Sequence, residues 1–291
     1  MEIVSKFTDF LREHGRSERT VQAYAADVER YVRWCETGYG QDFTPAMLNR
    51  ADLHDYQVHC RKIERVKAAT WNRYLASLTI FATWLGVDVS EAMSRAETQK
   101  LAPKSLNISQ YKRFRLAARE AVRTASSEAA KRQALRNAAI ITLLADAGLR
   151  EGEIVHLRVE DVLLGERKGR VVICDAKGNK DRSVPLDKDS VDTIKAWLQV
   201  RPAGGAEMFL GKRGDMLQER GIQKLVAAVA VQAKIGHVSP HQLRHTAAYR
   251  WMAAGADLGK VAELLGHSSI DITRRYTLPH WEDLEELVEM A

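Results

Sequence analysis

Through the first hundred residues the apolar side chains return every three or four positions, the spacing of helices that bury one face. Phe7, Phe10 and Leu11 mark a first helix. Ser17, an N-cap residue type, precedes a second helix whose stripe is Val21, Tyr24, Val28, Tyr31, Val32 and Cys35. A third is predicted over Asp52–Arg65. A fourth is predicted over Ala68–Leu85, with Trp71, Tyr74, Leu75, Leu78, Phe81 and Trp84 turned inward. The period lapses across residues 95–108, which are polar and contain Pro103, the pattern of a linker between domains.

Helical spacing resumes over Ser109–Thr124 and Ala129–Ala147. Two β-prone runs follow, Arg170–Asp175 and Arg182–Leu186, with Gly178-Asn179 between them. Both residue types tolerate positive φ, so a hairpin is predicted, and Val162–Leu164 offers a third strand. Helices are predicted again over Ser190–Val200 and Glu219–Ala233, and from the Ser239-Pro240 start to Gly255. Two more are expected near Asp257–Leu265, stopped by Gly266, and near Ile270–Tyr276. The expected fold class is mainly α with a small antiparallel β-sheet (α+β). The expected boundaries are a helical domain at 1–94, a linker at 95–108, a second domain at 109–280 and a tail at 281–291.

A length of 291 residues suits two domains, and 45% hydrophobic with 28% charged residues is ordinary for a folded chain. No apolar run approaches the ~20 residues of a membrane helix. The start, MEIVSKFTDF, lacks the blocks of a signal peptide, so a cytoplasmic location is expected. Cys35, Cys60 and Cys174 are too few and too scattered for a disulfide framework or a cysteine zinc site. The net charge of +6 is unevenly spread. Residues 1–100 carry 14 basic and 14 acidic side chains, whereas residues 101–281 carry 30 and 19, a net of +11, ahead of an acidic tail. Charge alone leaves two readings open, a polyanion-binding face or a solvated basic surface. The same choice applies to Lys62, Arg65, Lys67 and Arg73, which interleave the third and fourth helices and are candidate DNA contacts.

Three clusters in the basic domain have chemical potential. Arg150 and Glu153 follow the helix-ending Gly148. His241, Arg244 and His245 fall at i, i+3 and i+4 on one helix face. His267 follows Gly266, and Tyr276 comes nine positions later. Guanidinium forks bind phosphate oxygens and stabilise a pentacoordinate transition state without a metal. A tyrosine phenol, pKa ~10, is a nucleophile when cations favour the phenolate. A histidine relays its proton and a hairpin lysine protonates the departing alkoxide. This set describes transesterification of a phosphodiester onto tyrosine. Each member alone has a plain reading as a surface arginine, capping histidine, packed tyrosine or exposed lysine. The conjunction carries the chemistry. HQLRH lacks the glutamate and third ligand of a zinc site, and no metal or other cofactor is expected.

The stretches GLREGEIVHL, AKGNKDRSVPL, SPHQLRHTAA, GADLGKVAELLGH and SSIDITRRYT, in this order, resemble tyrosine recombinases of the phage-integrase superfamily. In layout the chain is similar to the Xer-type chromosome-dimer recombinases. The resemblance implies that Arg150 and Arg244 clamp the scissile phosphate, Lys177 is the general acid, and His241 and His267 assist proton transfer. It implies that Tyr276 attacks to give a 3′-phosphotyrosyl link, with Glu153 supporting the site. Lys180 competes for the acid role or contacts DNA, and His245 is expected to be structural. It further implies a four-helix core-binding domain that forms a C-shaped clamp on double-stranded DNA with the catalytic domain. A tetramer on two sites would then work through a Holliday junction. The tail stripe Leu284, Leu287 and Val288 would dock in a neighbouring protomer, or else on its own domain.

With no additional N-terminal domain in the sequence, simple core sites are expected, as in dimer or transposon resolution, with a partner recombinase or accessory proteins undetermined. A phage or integrative-element integrase is the alternative role. A type IB topoisomerase-like relaxing enzyme and a non-catalytic DNA-binding protein are the alternative activities.

Overall fold

A computed structural model describes residues 2–89, 92–97, 105–174, 181–211 and 214–266. The chain divides into two units, residues 1–100 and 101–291, each with its own apolar core. The expected fold class is the observed one, helices with a three-stranded antiparallel sheet.

The first unit holds α1 (Glu2–Glu13), α2 (Glu18–Tyr39), α3 (Arg50–Val58) and α4 (Ala68–Leu85). Ser17 caps α2, its hydroxyl accepting from the Thr20 amide at 3.3 Å. Gly40 ends α2 in the left-handed conformation, where a side chain would be strained. Phe7 meets Phe81 edge-on at 5.1 Å, Tyr31 meets Tyr56 at 5.0 Å and Tyr56 meets Trp71 at 6.3 Å, so aromatic rings tie all four helices together. The helix expected to reach Arg65 stops earlier. At Val58 it passes into a π-helical turn, His59–Ile63, and Arg65 lies at φ 55°. The widened turn keeps Cys60 in the core while Arg61, Lys62 and Ile63 swing outward, leaving Ile63 70% exposed.

The polar stretch after α4 is fastened at both ends. Trp71 donates its indole N–H to the Ser94 carbonyl at 3.0 Å, and Asn72 and Ala96 exchange bonds of 2.9 and 2.8 Å. On the other side the Leu106 amide donates to Thr246 at 2.9 Å.

The second unit is built around α6 (Glu128–Ala145), whose last turns are buried on every side. Against it pack α5 (Ile108–Arg123), α8 (Lys188–Val200), α9 (Glu219–Gln232) and α10 (Pro240–Ala253). The strands β1 (Val162–Leu164), β2 (Gly169–Ile173) and β3 (Arg182–Leu186) are antiparallel in that order, with Val171 opposite both Val162 and Val184. Ser239 caps α10 by accepting from the Gln242 amide at 3.2 Å, with Pro240 at its first position. Two short helices complete the unit, α7 (Glu151–His156) and α11 (Leu258–Leu265). The predicted helix near Ile270–Tyr276 and the tail 281–291 lie outside the described residues. Among the described residues no helix is long and apolar enough to cross a membrane.

Candidate active site

The end of α6 begins the site. Gly148 turns the chain at φ 65°, and a Cβ there would sit 3.1 Å from Trp251 and 3.2 Å from Leu265. Leu149 is buried, so the next residue, Arg150, is delivered to the surface at the start of α7. Glu153, in the first turn of α7, caps that start. It accepts from the Arg150 amide at 2.8 Å and from Arg150 Nη1 at 2.7 Å.

Two further arginines converge on the same carboxylate. Arg182, at the first position of β3, donates from Nη2 to Glu153 Oε2 at 2.7 Å. Arg244, on α10, holds Nη1 at 3.9 Å from that oxygen. All three guanidinium groups also reach the C-terminus of α11. Arg182 Nε donates to the Leu264 carbonyl at 3.0 Å, Arg244 Nη2 to the Leu265 carbonyl, and Arg150 Nη2 to the Gly266 carbonyl at 3.0 Å. Arg244 Nη1 also donates to the Gly148 carbonyl at 2.7 Å. Three successive carbonyls, which a helix end leaves without internal partners, thus each accept from a different arginine. Gly266 adopts φ 61°, and a Cβ on it would come within 2.8 Å of Arg182 Nη1.

Exposure separates the arginines. The Arg150 side chain is 44% exposed, Arg182 10% and Arg244 2%, with Glu153 at 14%. Burial pushes the Glu153 carboxyl up, but the hydrogen bond and charge of Arg182, then the bonds from Arg150, outweigh it and hold the group below the ordinary carboxylate range. It stays ionised, so three arginines and one carboxylate leave a net charge of +2, a setting for an anion such as a phosphate. His241, in the first turn of α10, stands with its ring 4.2 Å from His245. Desolvation of the ring and then the charges of Arg244 and Arg150 hold it below the usual histidine value, so it is neutral and able to accept a proton at pH 7.

Arg150, Glu153, Arg244 and His241, all candidates from sequence, are therefore gathered in one place. Lys177, Lys180, His267 and Tyr276 lie outside the described residues. Arg182 is the member that residue types alone did not single out. Its signal was strand parity: it shares the inward-facing phase of Val184 and Leu186, an unusual place for a charge. In the first unit Lys62, Arg65 and Lys67 are exposed. Arg73 is paired with buried Asp27 at 2.9 Å and lies over the Tyr74 ring at 5.3 Å. It borders an open cavity of about 610 Å³ that Arg30, Arg33, Trp34 and His59 also line.

Residues 114–281 match the phage integrase family, and residues 3–90 match the phage integrase N-terminal SAM-like domain. The chain belongs to the phage integrase family. Within the family it is Xer-like and a tyrosine-type site-specific recombinase. It is 33% identical to tyrosine recombinase XerC of Corynebacterium efficiens, over 95% of this chain and 86% of that one. It is 30% identical to tyrosine recombinase XerD of Listeria monocytogenes, over 95% and 93%. Among solved structures, XerH recombinase bound to a palindromic difH substrate superposes with a TM-score of 0.74 at 21% identity, over 92% of this chain and 78% of that one. A lambda integrase dimer bound to a core site superposes at 0.69 and 15% identity, over 94% of each chain. At these identities the structural likenesses speak for the shared family fold.

Proposed function

We propose that this recombinase binds double-stranded DNA at simple core sites and exchanges strands through a 3′-phosphotyrosyl intermediate. The observation that carries the reading is the arginine cluster: Arg150 and Arg244 meet at Glu153 with net positive charge, beside a neutral His241. In this mechanism Arg150 and Arg244 bind the non-bridging oxygens of the scissile phosphate and stabilise their charge as the phosphorus becomes pentacoordinate. The Tyr276 oxygen attacks phosphorus, the bond to the 5′ oxygen breaks, and Lys177 supplies the proton that the 5′ oxygen takes up. His241 and His267 accept and relay the phenol proton. Glu153 supports the arginines without reacting. Religation reverses these steps, so the bond energy is retained and no nucleotide cofactor is consumed.

At the level of assembly, the domains at 1–94 and 109–280, joined by the linker at 95–108, both bind the duplex, and Lys62, Arg65, Lys67, Arg73 and Lys180 supply contacts to DNA. Four protomers join two sites through a Holliday junction, each tail, 281–291, docking on a neighbour, in the cytoplasm. The task is dimer or transposon resolution. The relatives that are solved on DNA, XerH on difH and lambda integrase on a core site, support the DNA partner.

A nicked suicide substrate tests the reading, built on an inverted repeat with about one helical turn per half-site drawn from the DNA beside the gene. The wild-type chain forms a covalent adduct and Tyr276→Phe does not. An adduct that survives Tyr276→Phe, or no adduct on any such site, overturns the assignment. Relaxation of supercoiled DNA lacking a site would favour a topoisomerase-like activity instead.

A further inference from the structure

We infer that Arg182 is a positioning residue for strand cleavage, acting through Glu153 to set the orientation of Arg150. The inference rests on the reading above, in which Arg150 clamps the phosphate. It follows from where the guanidinium sits and which of its donors are used. Arg182 reaches Glu153 Oε2 with Nη2 at 2.7 Å and the Leu264 carbonyl with Nε at 3.0 Å. Its third nitrogen, Nη1, fills the space beside Gly266 where a Cβ would stand. The side chain is almost covered, so it does not meet DNA directly.

Its effect is on the carboxylate. Glu153 Oε1 serves Arg150 Nη1, while Oε2 is shared by the Arg150 amide and Arg182. Arg182 therefore pins the oxygen that Arg150's side chain does not use, and so fixes the carboxylate whose other oxygen holds the exposed guanidinium at 2.7 Å. A planar fork presents its donors to a phosphate only when its own plane is set, and the half-exposed Arg150 fork is set by two acceptors, Glu153 Oε1 and the Gly266 carbonyl. Arg182 also begins β3, immediately after the hairpin segment, so one side chain joins this strand, α7 and the end of α11. Without it Glu153 keeps Arg150, from the start of α7, and the more distant Arg244, from α10, as its charged neighbours among the described residues. Burial then acts on the carboxyl with less opposition.

A merely structural Arg182 would tie β3 to α11 and affect folding alone. The two roles separate in a double-substitution cycle with single-turnover cleavage of the suicide substrate. Arg182→Gln is expected to slow cleavage about 10- to 100-fold, the size of one lost charged hydrogen bond, with DNA affinity changed less than about threefold. Combined with Glu153→Gln it should add almost nothing to the loss caused by Glu153→Gln alone. The acid limb of its rate profile should also lie at higher pH than in the wild type, because the carboxyl is protonated more readily. Arg182→Lys, which keeps the charge but cannot bridge Glu153 and Leu264 together, should recover part of the rate and serves if the glutamine variant does not fold. Rates that multiply in the double variant, or an unchanged rate in folded Arg182→Gln or Arg182→Lys, overturn the inference. Wild-type protein and Tyr276→Phe are run alongside. A wild type without an adduct refutes the recombinase mechanism itself, whereas a normal adduct with independent losses refutes only the role of Arg182.

Discussion

Arg150 and Arg244 share one proposed task, yet the structure makes their costs to folding very different. Arg244 is buried, with Nη1 on the Gly148 carbonyl at 2.7 Å and Nη2 on the Leu265 carbonyl. Lysine carries its three donors on one nitrogen instead of a spread fork, so it reaches one of these carbonyls and leaves the other buried without a partner. A charged hydrogen bond is worth about 1.5–3 kcal/mol and an orphaned buried carbonyl costs about 1–3 kcal/mol, so after relaxation Arg244→Lys should lose about 2–4 kcal/mol. For a unit of this size about 2–4 °C accompanies each kcal/mol, so its melting temperature should fall by about 5–15 °C. Arg150 is half-exposed, and its link to Glu153 is screened by water, so Arg150→Lys should cost under about 1 kcal/mol and a few degrees. Both substitutions should slow single-turnover cleavage at least about 100-fold, because each removes a fork from the transition state. Differential scanning calorimetry on both variants, with cleavage measured on the same preparations, checks the contrast. If Arg244→Lys melts within a degree of wild type, or Arg150→Lys melts as early as Arg244→Lys, the assignment of buried and exposed roles is wrong.

Three other outcomes follow from the same geometry. Because Glu153 is held below the ordinary glutamate value of 4.5, its ionised form contributes stability that is fully present above that value and lost as the pH falls through its lowered value. The melting-temperature gap between wild type and Glu153→Gln should therefore be widest near pH 7 and shrink below about pH 4.5. A gap that widens on acidification contradicts this sign. Gly266→Ala should destabilise by about 1–2 kcal/mol, since it places a Cβ in the left-handed region, and should slow cleavage as Arg182→Gln does by displacing that guanidinium. Calorimetry and suicide-substrate kinetics read both effects. Asp146 is paired with Arg115 at 3.0 Å and Arg250 at 3.1 Å and accepts from the Tyr111 hydroxyl, so Asp146→Asn should cost about 3 kcal/mol in a urea melt.

Much of the architecture was legible from local signals. Helix α4 runs over the predicted Ala68–Leu85, and β1 and β3 occupy the predicted positions, because apolar period and alternation are dictated within each segment. The starts of α2 and α10 were legible in Ser17 and in Ser239-Pro240, since a cap acts on amides two or three residues away. Helix α7 was not foreseen: six residues are too few to display a period, and it is held by its cap and by neighbours. The shortened α3 was missed because the apolar stripe continues to Cys60 while the backbone changes pitch beneath it. In the site, the types of Arg150, Glu153, His241 and Arg244 were visible because their chemistry is unusual in combination. Arg182 was not, because its meaning depends on Glu153, 29 positions away, and on a carbonyl 82 positions away. An arginine in a strand resembles a solvent contact until those partners are in view.

The comb of carbonyls at Leu264, Leu265 and Gly266 has a consequence for how this part of the protein tolerates change. The arginines bind main chain there, so side-chain substitutions at 264 or 265 leave all three acceptors where they are, even when they disturb packing. A one-residue insertion or deletion between Asp257 and Gly266 is different. It turns the helix end by about 100° and offers each arginine the wrong oxygen. Helix α11 thus works as a ruler, and its length, more than its composition, sets the phase in which the chain leaves the cluster.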